Sequence, residues 1–230
     1  MLLRWGQGTG PIRERVIRLT DVAATKSPAR PTNAERSAKT REKLVLATID
    51  CLHRLGYHET STTVVLNQVG LSRGAMLHHF PTKADLMIAT SEYIAERRGA
   101  AHREGLDGVT DDRERLNRLV DILWSELKSP TGVARIEIML GSRSDPEFSA
   151  RFRELNAELE QRHKDGIWPL AQRLGLTDRK LVDDLTQLYA AALRGLAIDA
   201  LDRGPDRLQG AVDLLKRYHL LLVDAPAKGD

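Results

Sequence analysis

The sequence predicts an all-α protein. Glycine (17 residues) and proline (9 residues) are few in a chain of 230 residues and gather at a few points, so the stretches between them can stay helical. Apolar residues make up 41% of the chain and recur at the three- and four-residue spacing of amphipathic helices. Because aromatic residues are only 4%, we expect a core built from Leu, Ala, Val and Ile.

Charge is unevenly distributed along the chain. Residues 1–104 hold 16 Lys and Arg against 10 Asp and Glu, a net charge of +6, whereas residues 105–230 hold 19 against 22, a net charge of −3. A basic N-terminal part suggests a module that faces a polyanion. The single cysteine excludes an internal disulfide, and no apolar run is long enough to span a bilayer. With no secretory signal pattern at the start, we expect a cytoplasmic protein.

Three segments are expected: a flexible arm (1–31), a DNA-binding domain that includes its connecting fourth helix (32–104) and a helical ligand-binding and dimerisation domain (105–230). The arm lacks a periodic apolar face, which favours disorder. Its alternative role is minor-groove contact through Arg13, Arg15 and Arg18.

The first helix has a clear start and stop. Thr32 and Glu35 have the spacing of a capping box, in which each side chain satisfies a backbone donor at the helix start. The helix is predicted to run to Leu55, with Cys51 on its apolar face, and to end at Gly56 in a left-handed cap.

Three further helices follow within about 45 residues. Ser61 is predicted to cap a two-turn helix that Gly70 ends, and Ser72 caps a second short helix that stops before Pro81. Thr82 begins a longer helix that reaches about residue 103. Two short helices joined by a turn of about three residues are the pattern of a helix-turn-helix.

Longer helices are predicted beyond residue 105. Thr110 and Thr177 are the expected N-caps of two of them, Asp145 followed by Pro146 starts another, and Pro169 is expected to kink that helix. The predicted helices span about residues 110–128, 131–143, 146–174, 178–202 and 206–223.

The second short helix has the division that a DNA-reading helix needs. Met76 and Phe80 lie four residues apart and face the core, while Arg73 and His78 lie on the opposite side. Gly74 lets the backbone approach DNA closely. An arginine in the major groove can make a bidentate contact to guanine, worth roughly 1–3 kcal/mol of discrimination.

The run TSTTVVLNQVGLSRGAMLHHFPTKADL resembles the N-terminal DNA-binding domain of the tetracycline-repressor (TetR) family over about residues 36–90, through the pattern G-[VL]-S-x-G-x-[LM]-x-x-H-F-x-x-K. The resemblance implies phosphate contacts at the start of the second helix and at two clamps, His79 and Lys83, with a groove-facing set between them. The implied DNA-contacting residues are Ser61, Thr62, Thr63, Ser72, Arg73, Gly74, Ala75, Leu77, His78, His79 and Lys83. Leu77 departs from the family, which usually has a hydrogen-bonding tyrosine there.

The last two predicted helices are apolar on more than one side, so we expect them to pair with their copies in a second subunit as a four-helix bundle. The resemblance implies the same dimer, which would place two reading helices on a palindromic operator. The residues assigned to this interface are Leu188, Ala192, Leu196, Leu208, Val212, Leu215, His219 and Leu222.

The resemblance also implies a cavity for a small-molecule inducer in the C-terminal domain. Trp124, Met139, Trp168 and Tyr189 are its candidate lining residues, because aromatic and Met side chains suit adaptable apolar pockets, although each is equally suited to the core. Lys and Arg are not prominent on the inner faces of these helices, which favours an apolar or aromatic inducer.

No cofactor or metal is expected. His78 and His79 are adjacent, so on a helix they point about 100° apart and cannot easily bind one ion. The chain has no nucleophile elbow, phosphate loop or dinucleotide motif, so we do not expect the protein to be an enzyme. The expected function is a dimeric repressor that an inducer releases from DNA. The alternatives are an activator of the same fold, or a helical ligand-binding or enzymatic domain with a vestigial helix-turn-helix.

Overall fold

The structure is a computed structural model that describes residues 32–224, except for the side chains of His219 and residues 222–224. The arm predicted at 1–31, with Arg13, Arg15 and Arg18, lies outside the described residues. Residues 32–224 form helices and contain no strand, so the all-α prediction is confirmed. The helices are α1 (Asn33–Glu59), α2 (Thr62–Val69), α3 (Arg73–His79), α4 (Lys83–Gly105), α5 (Asp112–Leu127), α6 (Pro130–Gly141), α7 (Pro146–Arg173), α8 (Arg179–Arg203) and α9 (Gln209–Asp224), with short 3₁₀ turns at Ser142–Ser144 and Pro205–Leu208.

Most helix starts lie where the sequence predicts them. The capping box of Thr32 and Glu35 is present, Ser61, Ser72 and Thr82 each accept a hydrogen bond from the backbone three residues on, and Asp145 caps α7. These caps form because a short polar side chain reaches the unpaired N–H groups of the first helical turn.

Three details differ from the prediction. The N-caps are Asp111 and Asp178 rather than Thr110 and Thr177, because a carboxylate one residue later also reaches the free N–H groups. Gly56 has φ 76° and ψ 175°, which is not a left-handed cap; α1 kinks at this residue and continues to Glu59. Helix α7 contains Pro169, as predicted, and the expected kink there stays a prediction.

Two apolar cores hold the helices together. The first joins α1–α4 to α6 and to the start of α7, and its fully buried members include Leu44, Leu52, Met87 and Phe148. Cys51 belongs to this core, as expected, and its thiol donates a hydrogen bond to Oε1 of Gln68 at 3.0 Å. The second core joins α5, α6, α8 and α9.

Helix α6 lies against α1 at very close range. A Cβ on Gly141 would be 2.0 Å from Cγ of Tyr57, so only glycine permits this approach. The Tyr57 ring stacks on Phe148 of α7, with 6.2 Å between ring centroids. The N-terminal helices and the C-terminal helices therefore share a tightly packed junction. Within residues 32–224 no helix is both long and apolar enough to cross a membrane.

Candidate functional site

Helices α2 and α3 form a helix-turn-helix. Gly70 ends α2 in the left-handed conformation (φ 66°, ψ 35°) and its N–H donates to the Leu66 carbonyl at 2.9 Å. Such a backbone favours glycine because residues with a Cβ are strained in the left-handed region. Ser72 then starts α3, its hydroxyl accepting from the Ala75 N–H at 3.2 Å. The turn Gly70–Ser72 thus fixes the angle between the two short helices.

One side of α3 is anchored and the other is exposed. Met76 and Phe80 are buried in the first core, as predicted. Arg73, Gly74 and His78 are exposed, and Leu77 is 48% exposed. A helix of seven residues is too short to be stable alone, so these two core contacts hold it in place.

The other predicted DNA contacts lie beside this exposed surface in sequence. Thr63 is exposed, while Ser61, Thr62 and Ala75 are half-buried. The hydroxyl groups of Ser61 and Ser72 both serve as helix caps, so they hold the reading helix and its neighbour in shape.

The two predicted phosphate clamps are less free than expected. Lys83 donates a hydrogen bond from Nζ to the Tyr57 carbonyl at 2.9 Å and lies 4.1 Å from the centroid of the Tyr57 ring. Burial lowers the pKa of Lys83, and burial, followed by the charges of His78 and Arg41, lowers the pKa of His79. The structure therefore places Lys83 as a tie between α4 and the end of α1. The kink at Gly56 makes the Tyr57 carbonyl available to it.

Residues 32–224 contain no group of three His, Cys, Asp or Glu side chains placed to hold a metal ion. The rings of His78 and His79 meet edge to face, with centroids 5.1 Å apart.

An apolar cavity of about 70 Å³ lies between α4, α5, α7 and α8. Of the four residues predicted to line a pocket, Tyr189 does so. The other three do not line this cavity. Trp124 is buried in the second core, Met139 packs against the first core, and Trp168 lies beneath the Arg179 guanidinium at 5.3 Å. Residue type suggested these side chains, but the rotation of each helix decides where a side chain points.

A polar cleft of about 1120 Å³ between α4 and α7 adjoins this cavity. We call it the α4–α7 cleft. His102, Leu119, His163 and Ile167 line both spaces, so they form the boundary between the cleft and the apolar cavity.

A group of charged residues in the interior near this boundary was not predicted from the sequence. Arg98 of α4 and Arg135 of α6 are largely buried, and burial lowers the pKa of each. Glu126 is also buried, which raises its pKa to about 7. The expectation that Lys and Arg are not prominent on the inner faces is therefore wrong. A usable signal was the single charge of Arg135 within the apolar run GVARI at the start of α6.

The exposed apolar surface of α8 and α9 differs from the predicted interface. Val212 is fully buried in the second core, and Leu196, Leu208 and Leu215 pack against that core. Leu188 is 61% exposed and Ala192 is half-buried, and their assignment to an interface stays a prediction. The predicted contacts of His219 and Leu222 lie outside the described side chains. The large apolar residues exposed on these helices are Leu181, Leu188, Ile198, Leu201, Leu214, Tyr218 and Leu221.

Val212 cannot reach a second subunit, because its side chain is fully buried in this chain, whereas the assignment of the half-buried Leu208 and Leu215 stays a prediction. Helix α9 has two apolar rows. The row that contains Val212 docks on α5 within the same chain. The adjacent row, with Leu214, Tyr218 and Leu221, is left at the surface. The two rows look alike in sequence.

Comparison with known proteins agrees with this geometry. Residues 44–90 match the family model described as "Bacterial regulatory proteins, tetR family". The HTH-type transcriptional repressor Rv1474c of Mycobacterium tuberculosis is 32% identical over 168 residues, which is 72% of this chain and 85% of that protein. The HTH-type transcriptional regulator CymR of Pseudomonas putida is 28% identical over 177 residues, 76% of this chain and 86% of that protein.

Solved structures share the whole fold. A TetR transcriptional regulator from Chloroflexus aurantiacus superposes with a TM-score of 0.66 at 22% identity, covering 80% of this chain and 95% of that one. A putative transcriptional regulator from Saccharomonospora viridis, solved in complex with choline, superposes with a TM-score of 0.60 at 20% identity, covering 82% and 97%. With its helix-turn-helix, its all-helical C-terminal part and a relative of this identity and coverage, the chain belongs to the TetR family of bacterial transcriptional regulators.

Proposed function

We propose that the protein is a dimeric repressor that reads a palindromic operator with α3 and leaves it when a small molecule binds in the C-terminal domain. The observation that carries the proposal is the division of α3. Met76 and Phe80 fix the helix to the core, while Arg73, Gly74, Leu77 and His78 remain exposed on its outer side. An exposed short helix, held rigidly after a tight turn, suits the major groove.

Dimerisation is supported by the exposed apolar residues of α8 and α9. Leu188, Tyr218 and Leu221 are 61%, 56% and 63% exposed, which is unusual for three large side chains on neighbouring helices. A two-fold pairing through this surface would cover them and would present two copies of α3 to DNA.

Release by a ligand is supported by the position of α6. This helix carries Arg135 in the interior, Glu137 in contact with the Tyr57 backbone, and Gly141 against the Tyr57 ring. A ligand that moves α6 would therefore move the end of α1, on which α2 and α4 are packed. Such a ligand shifts the population only if it binds the released arrangement more tightly.

The test is a selection of genomic fragments by the purified protein, by Arg73→Ala and by the control Arg118→Ala. Arg118 is exposed on α5 and pairs with Glu114. Its substitution therefore removes one positive charge, as Arg73→Ala does, but outside α3. We expect the wild type and the control to retain one palindrome and Arg73→Ala to lose or relax it. Retention without sequence preference would contradict the proposal. The position of the palindrome relative to promoters distinguishes repression from activation.

A further inference from the structure

Three helices each direct one arginine into the C-terminal domain. Arg98 lies on α4, Arg135 on α6 and Arg194 on α8, and we call these three residues the basic cluster. The pKa of Arg135 is lowered to about 10, first by burial and then by the charges of Arg98 and Arg194. Arg194 also reaches α6 directly, because its Nη1 lies 3.8 Å from Sδ of Met139, one helical turn beyond Arg135.

The basic cluster is incompletely satisfied by the chain. Arg135 donates from Nη2 to Oδ1 of Asn156 at 2.8 Å, but its buried Nη1 has no hydrogen-bond partner among the described residues. Arg194 donates from Nη1 only to the weak acceptor Sδ of Met139, at 3.8 Å. A buried guanidinium with unused donors is costly to the fold. An acceptor that arrives from outside would remove that cost.

The counter-charge nearby is smaller than the positive charge. Glu126 and Glu160 are the carboxylates that interact with the basic cluster. Burial raises the pKa of Glu126 to about 7, so this side chain is only partly ionised at neutral pH. His102 and His163 have pKa values lowered to about 4 and are neutral there. Within residues 32–224, three arginines thus face two carboxylates, so positive charge exceeds negative charge in this part of the interior.

An apolar space adjoins this charge. Arg98 lines the α4–α7 cleft, together with His102 and His163, and these two histidines also line the apolar cavity. Beyond them the cavity is walled mainly by Leu, Val and Ala side chains, with Tyr189 and Thr186. Its volume of about 70 Å³ is small beside the roughly 300–1,000 Å³ of pockets for drug-sized ligands. A ligand would therefore place a short apolar body there and keep its polar end in the cleft.

We propose that the ligand is an amphipathic carboxylate, whose anionic end binds Arg98, the member of the basic cluster that lines the α4–α7 cleft, and whose apolar body enters the cavity beyond His102 and His163. The statement that this ligand is the inducer rests on the proposed function. The statement that it binds at this site does not. A carboxylate fits because its two oxygens match the paired N–H donors of a guanidinium. It would supply an acceptor to Arg98, which donates to no described residue, and its charge would offset that of the nearby Arg135 and Arg194.

The test measures binding to the full chain by thermal unfolding and by calorimetric titration at fixed ionic strength. Benzoate and hexanoate are the probes, benzamide and hexanamide are their neutral matched controls, and choline is the probe of opposite charge. We expect the carboxylates to raise the Tm in proportion to the logarithm of their concentration, and the amides and choline to leave it unchanged.

Two variants locate the site. Arg98→Met and Arg135→Gln are expected to weaken carboxylate binding at least tenfold. The control is Arg162→Met, because Arg162 lines the same cleft but is exposed and paired with Glu158. No described residue accepts a hydrogen bond from Arg98, so Arg98→Met breaks no such bond in the fold. It therefore tests the proposal even if Arg135→Gln fails to fold.

Several results would overturn the proposal. Equal binding of acid and amide would mean an apolar site alone, and a response to choline instead would mean a cation site at Glu126. No response to either carboxylate, or equal loss in Arg162→Met, would also refute it.

Fragment retention separates this inference from the proposed function. Carboxylate binding that depends on Arg98 but leaves the palindrome bound would establish the site and refute release. Failure to retain any DNA fragment would refute the DNA-reading role. It would not affect the result of the carboxylate-binding measurement.

Discussion

The backbone N–H of Tyr57 donates a 2.8 Å hydrogen bond to Oε2 of Glu137, joining residues 80 positions apart. The kink at Gly56 turns this N–H away from its helical partner, and α6 supplies the acceptor. A Cβ on Gly56 would lie 3.3 Å from the same carboxylate oxygen, so glycine leaves room for the contact. The end of α1 is thus fixed to α6 by a directional bond as well as by apolar packing.

Glu137→Ala should lower the free energy of unfolding by about 1–3 kcal/mol, because it leaves a half-buried N–H without an acceptor. Urea denaturation measures the change. Glu137→Gln keeps an oxygen at this position and should lose less than Glu137→Ala. Glu154→Ala, at an exposed position of α7, is the control for loss of a surface charge. Equal stability of Glu137→Ala and the wild type would show that the bond contributes nothing.

Leu77→Tyr should tighten binding to the selected palindrome by roughly two- to tenfold, the value of one added hydrogen bond of about 0.5–1.5 kcal/mol. Leu77 is 48% exposed on the outer side of α3 and cannot donate a hydrogen bond. Fluorescence anisotropy with a labelled duplex measures the affinity. Leu140→Tyr, at a position 47% exposed on α6, is the matched control. Weaker binding by Leu77→Tyr would mean that the leucine itself makes the better contact.

The paired substitution Leu188→Lys and Leu221→Lys should convert a dimer into a monomer. Burying two lysines per chain in an apolar interface is unfavourable, because the desolvation free energy of the ammonium groups is not offset by new contacts. Sedimentation equilibrium gives the mass in solution. Leu140→Lys changes an equally apolar exposed residue outside α8 and α9 and should leave the mass unchanged. An unchanged mass in the paired variant would place the interface elsewhere.

His102 and His163 should make the protein less stable in mild acid. Burial, followed by the charge of Arg98, lowers the pKa of each to about 4, below the ordinary value of 6.5. The neutral form is therefore favoured in the folded state. The stability that each histidine contributes is complete above pH 6.5 and is lost as the pH falls towards 4. Glu126, with its pKa raised to about 7, acts in the opposite direction between about pH 4.5 and 7.

The variant His163→Asn isolates one of these groups. Between pH 7 and pH 4.5 it should lose on the order of 2 kcal/mol less unfolding free energy than the wild type. Urea denaturation at both pH values gives the difference. His53→Asn, at an exposed position of α1, should keep the wild-type dependence. The same dependence in His163→Asn would contradict the assignment.

Local features of the fold were predictable from sequence because their causes lie within a few residues. The capping serines Ser61 and Ser72, the left-handed Gly70 and the buried Met76 all follow from side-chain reach and helical spacing. Where two neighbouring residues can both cap a helix, as at residues 110 and 111, sequence does not choose between them.

The interior of the C-terminal domain was not predictable in the same way. Arg98, Arg135 and Arg194 come from three helices, and their closeness depends on how each helix is rotated and docked. The choice between the rows of Val212 and Leu221 likewise depends on which one meets α5. Helical periodicity in the sequence identifies the apolar rows of each helix, but it does not show which row packs against a neighbouring helix. That choice is set only in the folded chain.

Cys51, the single cysteine of the chain, offers a route to the motion that release requires. It is fully buried, and burial raises the pKa of its thiol, so the thiolate that reacts with labelling reagents is scarce. A cysteine introduced at His78 would therefore accept a nitroxide spin label almost exclusively. In a two-fold assembly that label gives one interspin distance, and pulsed electron resonance would measure the separation of the two reading helices with and without benzoate.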